Sequence, residues 1–458
     1  MLVGASLKRK EDARLVAGRG RYLDDIALPG MLHLGLVRSP HAHARIVKVD
    51  GDDARRMEGV VVVWTLADLP ELMGTMVPPL VPEPRGRPYV HPVLAGDRAR
   101  HAGDAVAVVV AESAYRLADA IERVRVEYEL LPTAVTPATA LMPSAPRVHE
   151  EWADNLAAVS ASQIGAVTAE FDRAEVVVHG RFTYSRVGGM PIEPRGVLAV
   201  EDATGTLLVW SSTQVPFAVR SGIARALDLP EERIRVMVPE VGGGFGVKGH
   251  AYPEDTIVPA VARRLGRPVK WVETRREHFL SSAADRDQTH DARIALRRDG
   301  VVVALETSFT RDHGAFTTLG EAITLNTINH LPGPYRIPNY RGTGKNVITH
   351  KTFAAAYRGA GRPEGALVMD RLLDRAARRL GMDPAELRRR NLIRPEDMPY
   401  VSGLTYRDGA PIVYDPADYP AQFNEMLRRL DYARWRQEQA RRRPSEPAGR
   451  SRRSGRRG

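Results

Sequence analysis

The sequence predicts an α+β protein built from two successive domains. Short runs of apolar and β-branched residues are typical of strands, and some are followed by segments whose apolar residues recur at helical spacing. A stretch rich in Pro, Ala and Thr separates the two regions and is typical of a linker. At 458 residues the chain is long enough for two or three domains with sizeable cores.

The first domain is predicted over residues 17–131 and alternates strands with one helix. The predicted strands are Met31–Val37, Ala44–Val49, Val60–Thr65, Ala105–Val110 and Val124–Leu130, and the predicted helix is Ala114–Arg123. The linker is predicted over residues 132–160.

The second domain is predicted over residues 161–395. Its predicted strands include Gly196–Glu201, Thr206–Trp210 and Ile234–Pro239, and its predicted helices include Pro216–Ala226, Pro253–Leu265 and Gly365–Leu380. Asp383-Pro-Ala-Glu386 predicts a capping box with proline at the first helical position, which starts a short helix reaching Asn391. Residues 396–440 are predicted to begin a following region.

The positive charge of the chain is concentrated at its end. The net charge is +10, and residues 441–458 contribute +7 of it through eight Arg and one Glu, which leaves about +3 for the body. This segment has almost no apolar residue that could anchor it, so it is predicted to be a disordered tail. The body therefore predicts no specific nucleic-acid partner, although the tail could bind polyanions nonspecifically.

Composition excludes several kinds of chemistry. The chain has no cysteine, which excludes disulfides, cysteine zinc sites, thiolate nucleophiles and iron–sulfur clusters ligated by this chain. Any redox reaction must therefore use a bound cofactor or a partner subunit. No run approaches the roughly 20 apolar residues that span a bilayer, and the charges of the N-terminus follow its apolar residues, opposite to a secretory signal. A cytoplasmic location is expected.

Two glycine-rich loops are the candidate binding elements. The loop Val241–Gly249 follows a predicted strand and precedes a predicted helix, and the loop Ala356–Gly365 also leads into a helix and contains a fixed cation, Arg358. Backbone N–H groups without an obstructing Cβ suit phosphate or pyrophosphate oxygens. Each loop taken alone could also be an ordinary tight turn.

The first loop allows a rival interpretation. Gly244-x-Gly246-x-x-Gly249 follows a strand, and Glu273 ends the next predicted strand, as in a Rossmann dinucleotide site. Against this, the following helix would contain two prolines, and no clear series of βαβ units surrounds the loop.

Six sequence motifs follow one another along the chain, and two of them lie within the glycine-rich loops. They are Gly18–Asp25, Arg38–Ile46, Pro191–Arg195, Ser212–Pro216, Gly242–Gly246 and Ala356–Arg362. The first two resemble the α/β hammerhead domain of the xanthine dehydrogenase and aldehyde oxidase family, and the others resemble the molybdopterin-binding subunit of that family. The resemblance covers about residues 7–440.

The resemblance implies a cofactor and positions for it. The cofactor would be molybdopterin with molybdenum, expected in its cytosine dinucleotide form, and the pterin dithiolene would hold the metal without a side-chain ligand. Gln214 matches the glutamine beside the metal ligands, and Phe245 and Gly246 match the loop that passes the oxo group. The full set of implied cofactor-binding residues is Gln214, Gly243, Gly244, Phe245, Gly246, Arg358, Gly359, Ala360 and Gly361.

Family chemistry implies hydroxylation of an electron-poor carbon with oxygen from water. Electrons would leave through separate iron–sulfur and FAD-binding subunits. Carbon monoxide dehydrogenases of the family have a copper-holding cysteine where this chain has Gly359, and purine-oxidising members have a glutamate where it has Gly249. These departures disfavour carbon monoxide and xanthine and leave aldehydes or N-heterocycles.

The largest departure from the family pattern is the length of the chain. Family subunits continue into a second molybdopterin-binding region that supplies the glutamate general base, and no Gly-x-Gly-Glu segment occurs near the end of this chain. We therefore expect no catalytic residue in this chain, with the second half supplied by another polypeptide. The alternatives are an inactive fragment or cofactor-binding remnant and, less favoured, a Rossmann-type dehydrogenase.

Three other groups contain residue types that occur in functional sites. His41 and His43 have a spacing compatible with a metal but are more typical of a turn between strands, and Glu193 between two prolines is more typical of a structural turn than of acid–base chemistry. Asp312 and His313 would need a serine for a hydrolytic triad, and no Gly-x-Ser-x-Gly motif supports one.

Overall fold

Two large β-sheets organise the chain, and each combines strands that are far apart in sequence. The computed structural model describes residues 2–77, 91–319 and 321–442. Within these residues the strands are β1 Leu32–Arg38, β2 Ala44–Asp50, β3 Val60–Trp64, β4 Arg98–Ala99, β5 Ala105–Ala111, β6 Arg125–Leu130, β7 Leu156–Ile164, β8 Val176–Tyr184, β9 Val187–Gly188, β10 Gly196–Glu201, β11 Leu207–Ser211, β12 Ile234–Met237, β13 Val269–Val272, β14 Ala284–Asp285, β15 Gln288–Leu296, β16 Val302–Gly314, β17 Tyr340–Ile348, β18 Tyr400–Thr405 and β19 Pro411–Tyr414.

The helices lie between these strands and at the end of the described chain. They are α1 Asp12–Leu15, α2 Asp52–Arg55, α3 Ala114–Arg123, α4 Pro137–Ala140, α5 Val167–Arg173, α6 Pro216–Ala226, α7 Glu254–Leu265, α8 Arg275–Ser281, α9 Ala322–His330, α10 Arg362–Leu380, α11 Pro384–Asn391, α12 Tyr419–Arg429 and α13 Tyr432–Arg442. Single 3-10 turns occur at Leu23–Asp25, Leu66–Asp68, Pro70–Leu72, Glu231–Arg233 and Pro395–Asp397.

The first sheet joins the two predicted domains. Its seven strands have the order β12-β11-β10-β13-β1-β5-β3, so strands from residues before 131 and after 195 share it. Strand β1 pairs in parallel with β13, with Leu32 opposite Val269, and antiparallel with β5. All seven residues of β5 are buried, which is why this strand is a continuous apolar run rather than an alternating one. The segment 17–131 therefore shares its main sheet and core with the later segment.

The second sheet includes the strand that precedes the second glycine loop, since that loop lies between β17 and α10. Its five strands have the order β7-β17-β16-β15-β8, and helices α9 and α10 pack against it. A core of buried aliphatic and aromatic side chains, including Ile294, Leu305, Leu372 and Leu373, fills the space between sheet and helices.

The predicted linker is partly wrong. Residues 156–160, placed in the linker, form the first half of β7, which pairs antiparallel with β17 so that Ile164 lies opposite Tyr340. Val159 is the only β-branched residue of this segment, so its own strand propensity is weak. Pairing with a distant strand determines its conformation, and sequence periodicity could not show that.

The end of the chain differs from its prediction at two residues. Arg441 and Arg442, placed in the disordered tail, are the last residues of α13, while residues 443–458 lie outside the described part. The following region predicted over 396–440 contains the hairpin β18–β19 and helices α12 and α13.

Candidate functional site

The first glycine loop is a series of tight turns between β12 and α7. Gly243 and Gly246 have φ angles of 104° and 94°, and Phe245 between them has a φ of 55°. The N–H of Val247 donates to the carbonyl of Gly244 at 3.0 Å, and the N–H of Gly249 donates to that of Gly246 at 2.9 Å. Left-handed backbone favours glycine because a Cβ crowds the neighbouring carbonyl, so this loop needs its glycines.

The second glycine loop turns directly into helix α10. Gly359, Ala360 and Gly361 all have positive φ angles, of 103°, 46° and 93°. A Cβ at Gly361 would lie 2.5 Å from the carbonyl oxygen of Ile323 and 2.6 Å from Oγ1 of Thr327, both on α9. The helix starts at Arg362, three residues before the predicted start at Gly365, because Pro363 is accommodated in its first turn.

The two loops contact each other. The N–H of Arg358 donates to the carbonyl of Phe245 at 2.9 Å. A Cβ at Gly246 would overlap the carbonyl oxygen of Ala356, so the backbones approach as closely as glycine allows. The loops therefore form one continuous surface, as two loops binding a single ligand must.

Gln214 joins this surface from the turn between β11 and α6. Its Oε1 accepts a hydrogen bond from the N–H of Gly246 at 3.0 Å, and its own N–H donates to the carbonyl of Lys248 at 2.8 Å. Gly244 lies so close that a Cβ there would overlap the Gln214 carboxamide. Because the oxygen faces the loop, the Nε2 amide group of this exposed residue is the end available to donate to a ligand.

Arg358 presents a free cation at the same surface. Its backbone carbonyl accepts a hydrogen bond from buried Arg286 at 2.5 Å, and Arg286 also pairs with Glu364 at 3.0 Å. The Arg358 side chain is exposed and makes no hydrogen bond or ion pair with any residue that the structure describes. Its guanidinium is therefore available to an anionic ligand.

The Rossmann alternative does not fit the structure. Glu273 is buried, and its carboxylate binds Arg195 at 2.7 Å and Ser282 at 2.7 Å. Burial raises the pKa of Glu273, but Arg195 and the hydrogen bonds outweigh burial and hold that pKa well below its ordinary value. A carboxylate committed in this way is not free for a ribose hydroxyl.

The start of helix α7 also argues against a dinucleotide there. The carboxylates of Glu254 and Asp255 occupy its first turn. Glu254 lies 2.9 Å from Arg195 and 2.7 Å from Arg38, and although burial opposes ionisation, the two guanidinium groups lower the pKa of Glu254 to about 2. Carboxylates at this helix N-terminus would repel a pyrophosphate.

His43 and Asp312, from two of the other candidate groups, have polar contacts within the fold. His43 hydrogen-bonds with the carbonyl of Pro132 at 2.7 Å, and its ring lies 4.2 Å from that of His350 at a tilt of 31°. Asp312 is buried and accepts hydrogen bonds from Thr349 at 2.6 Å and from the N–H of Gly314 at 2.8 Å. Across residues 2–77, 91–319 and 321–442, no group of three or more His, Cys, Asp or Glu side chains could hold a metal ion.

Comparison with known proteins places this geometry in a class. The model of the molybdopterin cofactor-binding domain matches residues 148–392, and that of the aldehyde oxidase and xanthine dehydrogenase a/b hammerhead domain matches residues 17–132. The two loops, Gln214 and Arg358 all lie in the first of these ranges. The fold is therefore that of a molybdopterin-binding subunit.

Individual relatives agree with this class. The chain is 35% identical to 6-hydroxypseudooxynicotine dehydrogenase complex subunit gamma of Paenarthrobacter nicotinovorans, with 96% of this chain and 55% of the relative covered. It is 36% identical to the carbon monoxide dehydrogenase large chain of Hydrogenophaga pseudoflava, covering 96% and 56%. Quinoline 2-oxidoreductase from Pseudomonas putida 86 superposes with a TM-score of 0.88 at 38% identity, covering 96% and 55%.

The chain belongs to the aldehyde oxidase and xanthine dehydrogenase family. It spans about half the length of the first relatives above. One relative is matched over most of its length: the nicotinate dehydrogenase large molybdopterin subunit of Eubacterium barkeri is 30% identical, with 84% of this chain and 88% of the relative covered. Among the described residues, no helix is long and apolar enough to cross a membrane.

Proposed function

We propose that this chain is a molybdopterin-binding part of a molybdenum hydroxylase that oxidises aldehydes or N-heterocycles. The observation that carries the proposal is the junction of the two loops, where Phe245 and Arg358 are hydrogen-bonded and Gln214 is fastened to Gly246. The Eubacterium barkeri relative supports it, since a chain of similar span there is named a molybdopterin subunit.

The surface fits an anionic, flat cofactor. Arg358 offers an unpaired guanidinium, and Gln214 offers an amide donor beside it. Gly243, Gly244, Gly246, Gly359 and Gly361 allow the loop backbones to pack against neighbouring protein atoms more closely than a side chain would permit, and Ala360 adds only a methyl group. The pterin dithiolene supplies the molybdenum ligands, which agrees with a chain that has no cysteine.

The chain's own residues bind and orient rather than transfer protons. When bound, the molybdenum cofactor supplies a two-electron oxidation with transfer of a water-derived oxygen. Gln214 would donate from Nε2 to the cofactor, Arg358 would neutralise negative charge, and Phe245, which is 44% exposed, would shield the site from water.

The carboxylates beside the loops are unsuited to act as the base. Glu193 lies 2.7 Å from Lys248, and Glu364 lies 3.0 Å from Arg286. Both are therefore committed to ion pairs. We propose that the general base belongs to protein outside the described residues, in the second molybdopterin-binding region of the family.

The substrate class and partners follow from the resemblance and from the relatives' names. Gly359 stands where a copper-holding cysteine would be needed for carbon monoxide, which favours aldehydes or N-heterocycles. One relative is named as a subunit of a complex, which supports the presence of partner subunits. We propose that these are separate iron–sulfur and FAD-binding subunits of a cytoplasmic assembly, as the family resemblance implies.

The test is metal and nucleotide analysis of the chain expressed together with its genomic neighbours. We expect molybdenum by elemental analysis and a pterin by fluorescence after oxidation, and release of CMP on acid treatment would show the cytosine dinucleotide form. A complex that contains neither molybdenum nor pterin would overturn the proposal. Cofactor retention without turnover of any aldehyde or N-heterocycle would instead favour the cofactor-binding remnant.

A further inference from the structure

A buried ion pair lies beneath the first glycine loop and is not explained by cofactor contact. The Nζ of Lys248 lies 2.7 Å from Oε2 of Glu193 and 2.7 Å from Oγ of Ser212. Lys248 is only 1% exposed, although it lies within the loop Val241–Gly249. A buried ammonium is costly unless it is paired, so this arrangement needs both partners.

Glu193 connects the ion pair to the start of the loop. The oxygen that binds Lys248 also accepts hydrogen bonds from the N–H of Gly242 at 2.7 Å and from Ser212 at 2.7 Å. The N–H of Glu193 in turn donates to the carbonyl of Gly242 at 3.1 Å. Both peptide groups around Gly242 are therefore held by one residue.

The backbone of Lys248 connects the same pair to Gln214. Its carbonyl accepts the N–H of Gln214 at 2.8 Å and the hydroxyl of Thr213 at 3.3 Å. Gln214 then accepts the N–H of Gly246 through its side chain at 3.0 Å. These contacts are continuous. Glu193 binds Gly242, Gln214 binds Gly246, and Lys248 binds both Glu193 and Gln214.

We propose that Lys248 is a positioning residue, which holds the first loop through Glu193 and thereby keeps the Gln214 carboxamide with its oxygen toward Gly246 and its nitrogen toward the ligand. The loop arrangement itself requires no cofactor. Only the consequence for the ligand rests on the proposed function.

The chain provides a matched control. Lys270 in β13 is also a buried lysine, and its ammonium binds the carbonyls of Asp24 at 2.9 Å and Ile26 at 3.1 Å, neither of which belongs to a glycine loop. Lys270→Met removes from strand β13 the same buried ammonium group that Lys248→Met removes from the first loop. Ser212→Ala is a milder probe, because it deletes only the hydroxyl that bridges Lys248 and Glu193.

Hydrogen–deuterium exchange on the purified chain tests the positioning role. In Lys248→Met we expect exchange at residues 242–247 to be at least about tenfold faster, which corresponds to about 1.4 kcal/mol in opening free energy. Lys270→Met should leave those amides unchanged, even where it lowers the melting temperature. Ser212→Ala should accelerate the same amides by a few fold, so the test stands if Lys248→Met fails to fold.

Unchanged exchange at residues 242–247 in both Lys248→Met and Ser212→Ala would overturn the inference. Equal acceleration by Lys248→Met and Lys270→Met would also overturn it, because it would show general destabilisation. In the molybdenum-loaded complex, Lys248→Met should alter the Mo(V) electron paramagnetic resonance signal and Lys270→Met should not. A complex without molybdenum would defeat the proposed function, while the exchange experiment would still decide the role of Lys248.

Discussion

The two glycine loops meet at one surface but are held there by different forces. The first loop is fastened by charged and polar side chains: Glu193 and Gln214 bond to its backbone N–H groups, and Lys248 pairs with Glu193. The second loop also has charged partners, since Arg286 binds its carbonyl and Asp285 accepts the N–H of Tyr357, but its Gly361 backbone is in addition packed closely against α9. We therefore expect the stability of the first loop to depend on charge and pH, and that of the second loop to depend on added side-chain volume.

The largest expected effect is the loss of a cation beneath the first loop. Arg195 is buried between Glu254 and Glu273, at 2.9 and 2.7 Å, and lies over the Tyr252 ring at 3.6 Å. Arg195→Met would leave two carboxylates buried without this partner, so we expect the free energy of unfolding to fall by about 4 kcal/mol. Urea titration measures it, and a loss below about 1 kcal/mol would contradict the charge-based account.

A single added methyl group in the second loop should destabilise the fold. Gly361→Ala places a Cβ 2.5 Å from the carbonyl of Ile323 at a residue whose φ is 93°, so strain and overlap act together. We expect a loss of about 3 kcal/mol in the free energy of unfolding.

Gly381→Ala at the end of α10 is the matched control for volume. Gly381 also has a positive φ, of 64°, but no atom lies within 4 Å of a Cβ there. Only the backbone penalty of about 1 kcal/mol should remain. If the two glycine variants lose equal stability, packing against α9 does not hold the second loop.

His250, which directly follows the first loop, should make the free energy of unfolding depend on pH. Both ring nitrogens of His250 lack a hydrogen-bond partner in the described chain, and burial, followed by nearby Arg195, lowers the pKa of His250 from 6.5 to about 3. A histidine whose folded pKa is lowered binds its proton more readily when unfolded. Its contribution therefore removes stability as the pH falls below 6.5 toward 3.

His250→Phe removes this acid sensitivity. Relative to the parent chain, the variant should gain about 2 kcal/mol in the free energy of unfolding at pH 5 compared with pH 7. His179→Phe, at an exposed position on β8, should leave the pH profile unchanged. Parallel profiles of His250→Phe and the parent chain from pH 7 to pH 5 would show that His250 does not contribute.

Arg358→Ala should have the smallest effect on stability but should reduce binding of the molybdenum cofactor. Arg358 is exposed and unpaired within the described residues, so Arg358→Ala should change the free energy of unfolding by less than about 0.5 kcal/mol. Its molybdenum content in the co-expressed complex should nevertheless fall severalfold, as measured by elemental analysis. Arg181→Ala on the exposed face of β8 should retain full metal content.

Local elements could be predicted wherever the sequence contained its own signals. The helix Pro216–Ala226 and the helix Ala114–Arg123 were predicted with the bounds observed. The cap at Asp383 is confirmed, since its carboxylate accepts the N–H of Ala385 at 2.8 Å. The capping box is only half formed, because the Glu386 side chain pairs with Arg389 and Arg390 instead of returning to the cap.

The candidate site could be predicted only in part. Gln214, Phe245, Gly246 and Arg358 were identified from motifs, and the structure brings them together. Lys248 was missed because a lysine in a loop is ordinarily exposed to solvent. The signal for its role was the separate motif containing Glu193, and nothing in the spacing along the chain connects the two.

The sequence by itself determined the glycine loops, the helices beside them and the absence of cysteine ligands, because backbone freedom, capping and composition are local properties. Tertiary structure decided which strands share a sheet, that residues 156–160 form a strand, and that Glu273 is an ion-pair partner rather than a ribose ligand. These outcomes depend on pairing and burial between distant segments, and such interactions acquire their free energy only once the core excludes water.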